Sequence, residues 1–304
     1  MGWHQRNKPR SGVEQVRDAS PETLADCGRG AGLCHADGDL RPGEHPPQQL
    51  AMRTRQAAVS PLRGKFSKAA RTLLARDRRW WRALRMGVAP GLEHVVLLRR
   101  LQPHAVVDIG ANRGQFALAT RHAVPGAGIV SFEPLPGPAQ RFRAVFAGDR
   151  QVTLHEVAIG PRAGAAQMHV SARDDSSSLL PIGAEQNRLF PGTAEAGTRE
   201  IRVGRLADFL SADAIVAPAL LKLDVQGFEL TALQGCEELL DRFEWVYAEC
   251  SFVELYEGQA LADEVIAWLR ARGLRLVGVY NMARDREGRA IQADFMFARH
   301  GLTV

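Results

Sequence analysis

The sequence predicts an α/β protein: a seven-stranded, mostly parallel sheet covered by helices on both faces, ending in an antiparallel hairpin and preceded by an N-terminal helical extension. Three observations predict it. From Ala105 onward, short apolar runs alternate with helix-length segments. The first run breaks into a glycine turn that opens a helix. The last two runs are joined only by Arg284-Asp285-Arg286-Glu287-Gly288, too short a link to hold a crossover helix, so that pair must be antiparallel.

The elements follow in order. Residues 1–60 are rich in Gly, Pro, Arg and Asp with no sustained period, Arg41-Pro42-Gly43-Glu44-His45-Pro46-Pro47 among them, and read as a disordered extension. Residues 61–104 read as a helical cap, with Leu92, Val95, Val96 and Leu98 on the apolar face of its second piece. The main domain, 105–304, then runs strand 105–109, helix 114–123, strand 128–133, helix 137–147 and strand 152–159, followed by an irregular stretch from Gly160 to Asp208. Strand four is Leu220-Leu221-Lys222-Leu223-Asp224, and the helix after it has Leu230, Leu233 and Leu240 on one stripe. Strand five is Trp245-Val246-Tyr247-Ala248-Glu249-Cys250, and the next helix stops at Gly273. Strands 274–280 and 291–298 close the chain.

Charge is unevenly spread. Residues 1–90 hold 17 Lys and Arg against 8 acids, and the remainder 22 against 26, so the formal +5 belongs to the N-terminal part. Between Arg53 and Arg85 there are 11 basic residues and only Asp77 as an acid, interleaved with Leu73, Leu74, Trp80, Trp81 and Leu84. Residues 62–85 are therefore a candidate for peripheral membrane contact, the alternative being a helix that packs its aromatic stripe on the domain. The net-acidic main domain argues against nucleic acid as a partner. Cys27, Cys34, Cys236 and Cys250 form no C-x-x-C pair, so neither zinc nor disulfides are expected. No apolar leader follows Met1 and no apolar run reaches about 18 residues, so the expected compartment is cytoplasmic. The oligomeric state is left open.

The turn after the first strand, Asp108-Ile109-Gly110-Ala111-Asn112-Arg113-Gly114, has the spacing G-x-N-x-G where a pyrophosphate cradle wants G-x-G-x-x-G/A. No diphosphate is implied, and the junction suits the polar amino-acid end of S-adenosylmethionine (SAM). Its glycines permit a tight turn and close backbone approach by a ligand. The second strand ends Phe132-Glu133-Pro134, with Glu133 placed 23 residues after Gly110, near the spacing at which a carboxylate accepts both ribose hydroxyls. The other reading of Glu133 is a solvated acid at a strand end.

Asp224 and Glu249 end strands four and five, which puts both at the crevice of an open α/β sheet, as a general base or as Mg²⁺ ligands with Asp174 or Asp175. His155 and His169 are alternative bases, or else ordinary strand histidines. Asp174-Asp175-Ser176-Ser177-Ser178 reads as a lid over the ligand or as a surface turn.

With these residues in view, the chain resembles the FkbM-type SAM-dependent methyltransferases over residues 106–300. The resemblance rests on the Asp108–Gly114 and Phe132–Pro134 blocks, Val157-Ala158-Ile159-Gly160, Ser176-Ser177-Ser178-Leu179, Leu223-Asp224-Val225-Gln226-Gly227-Phe228-Glu229 and Ser251-Phe252-Val253-Glu254-Leu255-Tyr256-Glu257-Gly258, six blocks in order. The family's fifth block is often Asp-Val-Glu-Gly-x-Glu, and here Gln226 replaces the first Glu. The resemblance implies a class I methyltransferase fold with SAM as cofactor. The cofactor-binding positions would be Asp108, Gly110, Asn112, Gly114, Phe132, Glu133, Pro134, Val157, Ala158, Ser177 and Ser178, and the catalytic candidates Asp224, Glu249 and His155. It further implies methyl transfer to a hydroxyl of a sugar, glycan or glycosylated natural product. Competing readings are a non-catalytic SAM-binding domain with a basic arm and an RNA methyltransferase. Base methylation on an exocyclic nitrogen favours an Asn/Asp-Pro-Pro-Tyr/Phe motif, and this chain has Asp224-Val225-Gln226-Gly227 there.

Overall fold

The computed structural model describes residues 78–302. The expected disordered extension 1–60, the cap up to Asp77, Cys27 and Cys34 lie outside the described residues. In the remaining cap, α1 (Arg78–Arg85) is followed by a 3-10 turn, Leu92–His94, and α2 (Val95–Leu101). Of the basic aromatic helix expected there, Trp80 is buried edge-on against His122, while Trp81 is exposed. Arg82 Nη1 donates to the carbonyl of Ala147 (2.7 Å), so this part of the arm is docked on the domain. No described helix is long and apolar enough to cross a membrane.

The domain continues through β1 (Ala105–Ile109), α3 (Gln115–Ala123), β2 (Gly128–Phe132), α4 (Pro136–Val145), β3 (Val152–His155) and β4 (Ala158–Ile159). Next come β5 (Gly164–Ser171), α5 (Ala184–Leu189), β6 (Glu195–Gly204), β7 (Ala219–Leu223), α6 (Glu229–Gly235), β8 (Trp245–Ser251), α7 (Ala262–Ala271), β9 (Leu274–Arg284) and β10 (Ala290–Arg299). The main sheet has seven strands in the order β3-β2-β1-β7-β8-β10-β9, with β10 antiparallel to both neighbours. The chain runs outward from β1 through β2 to β3, returns at β7 and runs the other way. The carboxyl ends of β1 and β7 therefore frame the crevice where such sheets bind ligands.

Two corrections concern the second quarter of the domain. The expected single strand 152–159 breaks after His155, because β4 leaves the main sheet and pairs with β6. The stretch from Gly160 to Asp208 is not irregular: β4, β6 and β5 form a second, three-stranded sheet. Its strands are mostly small or charged and exposed, with Met168 and Ile201 buried, so no period-2 signal of useful strength marks them.

Alternation along the strands sorts the core into two layers. Val107, Ile109, Leu221, Leu223, Val246 and Ala248 face α6 and α7, packing on Ala232, Leu233, Val265 and Leu269. Val106, Leu220, Trp245, Tyr247 and Met296 face the cap and α3, packing on Leu98, Phe116 and Ala117. On that second face, in one row across β1, β7 and β8, the register places Asp108 beside Lys222 and Lys222 beside Tyr247. In the next row Glu249 opposes Asp294. A belt of polar side chains thus lies at the carboxyl edge of the sheet, under the cap.

Candidate active site

A deep cavity opens where the chain reverses between β1 and β7. Its wall includes Gly110, Ala111, Asn112, Phe132, Glu133, Pro134, Val157 and Ala158 from the expected positions, together with Asp174, Asp175, Ser177 and Asp224. Gly91, Glu93 and His94 of the cap and Lys222 of β7 close it from the other side.

The glycine turn is required by the protein's own packing. Gly110 has φ +78°, and a Cβ there would stand 1.8 Å from the carbonyl oxygen of Asp224. Gly114, at φ +92°, would push a Cβ to 2.7 Å from the Phe146 ring, and it does not line the cavity. The glycines let the turn lie flat on β7 and α4, which corrects the expectation that both make room for a ligand.

Glu133 is not the solvated acid of the alternative reading. It is buried, and its carboxylate receives the backbone N–H of Asn112 on Oε2 (2.9 Å) and of Leu135 on Oε1 (2.8 Å). Burial raises its pKa to about 7 against the pull of those two hydrogen bonds. Glu229 behaves alike in the turn after β7: its Oε1 accepts the N–H groups of Val225 (3.0 Å) and Gly227 (3.1 Å), and burial brings its pKa to about 7.

The segment 174–178 lies against the cavity, held from below. Arg113 grips the Asp174 carboxylate through Nε (3.1 Å) and Nη2 (2.5 Å), and Asn112 Nδ2 donates to the Asp174 carbonyl (3.2 Å). The Tyr256 hydroxyl is shared between the Ser176 carbonyl (3.1 Å) and Gln226 Oε1 (2.8 Å). All three serines are buried and do not form a surface turn, while Asp175 is exposed; Ser177 faces the cavity, whereas Ser178 does not and instead accepts the Leu180 N–H on its hydroxyl.

Asp224 faces the cavity as expected, but Glu249 is not on its wall. Gln226 Nε2 bridges the two, 2.7 Å from Asp224 Oδ1 and 2.9 Å from Glu249 Oε2, and Gln292 Nε2 caps Glu249 Oε1 (2.8 Å). Burial, with Asp224, Asp294 and Glu229 adding to it, pushes Glu249 well above the usual carboxylate range. An amide donor thus occupies the place between the carboxylates where a cation would sit. Among the described residues no group of three or more His, Cys, Asp or Glu could hold a metal. The expected Mg²⁺ site finds no ligand set here.

Three other positions depart from expectation. Asp108 is fully buried behind the wall and pairs with Lys222 Nζ (3.0 Å), which also donates to the Gly110 carbonyl (3.1 Å). Burial acts to lower the pKa of Lys222, but Asp108 and Asp224 outweigh it and raise it. His155 is stacked on Phe132 at 5.1 Å and tilted against Phe209 at 5.3 Å, with the core layer that packs on α6 and α7, and does not reach the cavity. His169 Nδ1 pairs with Glu195 on β6 (2.8 Å), away from the wall.

Sequence reasoning missed a cluster on the cap side. His94 Nδ1 lies 3.2 Å from the Tyr247 hydroxyl, which donates to Asp294 Oδ2 (3.0 Å). Asn281 Nδ2 donates to the same carboxylate oxygen (2.6 Å) and to the Tyr247 oxygen (3.2 Å). A lysine inside the apolar run Leu220–Leu223 was a readable sign of a buried partner; no comparable local sign marks His94.

Comparison with known proteins gives a consistent result. The model of the methyltransferase FkbM domain matches residues 108–276. The chain is 32% identical over 171 residues to the 2-O-methyltransferase NoeI of Sinorhizobium fredii, covering 54% of this chain and 70% of that protein. It is 28% identical over 207 residues to the 31-O-demethyl-FK506 methyltransferase FkbM of Streptomyces tacrolimicus, covering 61% and 77%. A crystal structure of a methyltransferase FkbM from Methylobacillus flagellatus KT aligns with 77% of this chain at 14% identity and a TM-score of 0.43, this chain spanning 59% of that protein.

Proposed function

This chain belongs to the FkbM family of SAM-dependent methyltransferases, and from that premise we propose that it transfers a methyl group to a hydroxyl of a sugar, a glycan or a glycosylated natural product. One observation supports this most: the cavity at the chain reversal is lined by an acid after β2, Glu133, and an acid after β7, Asp224, together with apolar side chains such as Ile109, Phe132 and Leu135. The donor fits these residues. Val157, Ala158, Leu135, Met168 and Leu179 offer an apolar slot for an adenine, Glu133 offers carboxylate oxygens to ribose hydroxyls, and Asn112 and Gln115 stand by the turn for the polar amino-acid end. Bound there, the donor supplies an electrophilic methyl on a sulfonium.

The chain's own contribution is positioning and proton removal, since a neutral sugar hydroxyl is a weak nucleophile. Lys222 fixes the Gly110 carbonyl and stands 3.8 Å from Asp224, so the acid at the acceptor side is held in place by a buried cation. Segment 174–178, clasped by Arg113, excludes water from the donor side. Of the wall groups able to accept a proton, Asp224 and His94 are set apart from Glu133 and from the Asp174–Asp175 segment that the donor reading uses. Both named relatives act on oxygen, which favours a hydroxyl acceptor over nitrogen or carbon.

The test is transfer from methyl-labelled SAM to a panel of free sugars, oligosaccharides and glycosylated macrolides, with the product's methyl located by mass spectrometry and NMR. An O-methyl ether is expected. A label found only on nitrogen or carbon acceptors would overturn the reading.

A further inference from the structure

We propose that His94, through Nε2, takes the proton of the acceptor hydroxyl, and that Tyr247 and Asp294 are positioning residues that hold its ring in the tautomer this requires. The inference rests on the hydroxyl-transfer reading above.

The hydrogen-bond chain has one consistent direction when Asp294 is ionised. Asp294 Oδ2 can only accept, and it lies 3.0 Å from the Tyr247 oxygen, so the phenolic hydrogen points at Asp294. The Tyr247 oxygen is left with its lone pairs. One takes the Asn281 amide (3.2 Å), and the other faces His94 Nδ1 at 3.2 Å. His94 must therefore donate through Nδ1–H, which leaves Nε2 without a proton on a ring that lines the cavity. Packing fixes the plane of that ring, edge-on against Phe116 (5.1 Å) and Tyr247 (5.6 Å).

The charge environment of the ring agrees, while burial raises the pKa of Asp294 against the pull of His94, Asn281 and Tyr247. Burial lowers the pKa of His94; Asp294, Glu93 and Asp224 act to raise it and Lys222 to lower it, and burial prevails, so the ring is neutral at neutral pH. Burial and the neighbouring Asp294 raise the pKa of Tyr247, which keeps its hydrogen. Asp224 is the weaker candidate for the same task, since its Oδ1 is taken by Gln226 and its charge is offset by Lys222.

In the step, the acceptor oxygen bonds to the methyl carbon as the carbon–sulfur bond breaks and its electron pair stays on sulfur. The hydroxyl proton passes to Nε2. The resulting imidazolium keeps its Nδ1–H···O(Tyr247) bond and later releases the new proton to solvent.

Two measurements test this. Ring ¹⁵N NMR of the full-length protein should show His94 with the proton on Nδ1, a bias lost in Tyr247→Phe. A proton on Nε2, as a protonated Asp294 and a reversed chain would produce, overturns the proposal. Kinetics with a hydroxyl acceptor should show kcat reduced about a hundredfold or more in His94→Gln, with SAM affinity by calorimetry unchanged. Wild-type turnover in His94→Gln would overturn the His94 assignment alone and leave hydroxyl transfer standing. A wild-type enzyme that methylates only nitrogen or carbon would overturn both.

Discussion

Arg113 and Asp174 lie 61 residues apart in sequence and meet through two guanidinium nitrogens, fastening the glycine turn of β1 to the segment over the cavity. Both partners are only partly exposed, at 27% each, so the pair is worth more than a surface ion pair. Asp174→Ala should loosen the segment without touching the reacting groups. The expected outcome is a SAM dissociation rate raised about tenfold in stopped-flow measurements, with kcat changed less than about threefold. An unchanged dissociation rate would show that the clasp does not govern donor access.

Glu133 holds two backbone amides and, in the proposed reading, would also hold the donor, so two substitutions are needed to read it. Glu133→Ala removes the acceptor for the Asn112 and Leu135 amides as well as the one proposed for the ribose. It should weaken SAM by about 1.5–3 kcal/mol and also lower the melting temperature. Glu133→Gln keeps one carbonyl acceptor and should weaken SAM with a smaller loss of stability. Calorimetry and melting curves on both variants separate the roles, and full SAM affinity in either would remove Glu133 from the donor site.

The wall proposed for the donor was legible in the sequence because it is local. A strand, a glycine turn and a helix lie within one short stretch, and Glu133 ends the very next strand, so pattern and spacing sufficed. The cap side was not legible. His94 and Tyr247 are 153 residues apart and meet because the cap packs on that face of the sheet, while the pairing of β8 with β10 sets Asp294 one row from Tyr247. The second sheet escaped for another reason: most of its residues are small or charged and exposed, so its strands show little apolar alternation.

Stability should depend on pH through Glu133 and Glu229. Burial raises both to about 7, from 4.5 for an exposed chain. Between those values the unfolded chain has lost protons that the folded protein keeps, so each group's contribution falls as pH rises from about 5 to 7, by at most about 3 kcal/mol. The melting temperature of Glu133→Gln should therefore vary less over this range than that of the wild type. An equally steep dependence would mean that Glu133 is ionised throughout.

Gln226 has φ +54°, a conformation rare outside glycine, and both ends of its amide are engaged, by Asp224, Glu249 and Tyr256. Gln226→Glu would replace a donor lying between two carboxylates by a third acid. Stability at neutral pH should fall by about 2–4 kcal/mol and recover on acidification. Millimolar Mg²⁺ should raise the melting temperature of the variant and leave the wild type unmoved. A wild type stabilised by Mg²⁺ to the same degree would restore the metal reading of this edge.

His94 precedes the residues that match the family domain and Asp294 follows them, although Tyr247 joins the two: His94 lines the chamber and Asp294 stands behind it. The half that would grip the donor is written within the shared domain, and part of the half that would meet the acceptor is written outside it, in a helical flap and a final hairpin. Change in those flanks leaves the cofactor machinery untouched. On the proposed reading the engine is common property while part of the acceptor wall belongs to the flanks, so a comparison confined to the common domain leaves His94 and Asp294 out of view.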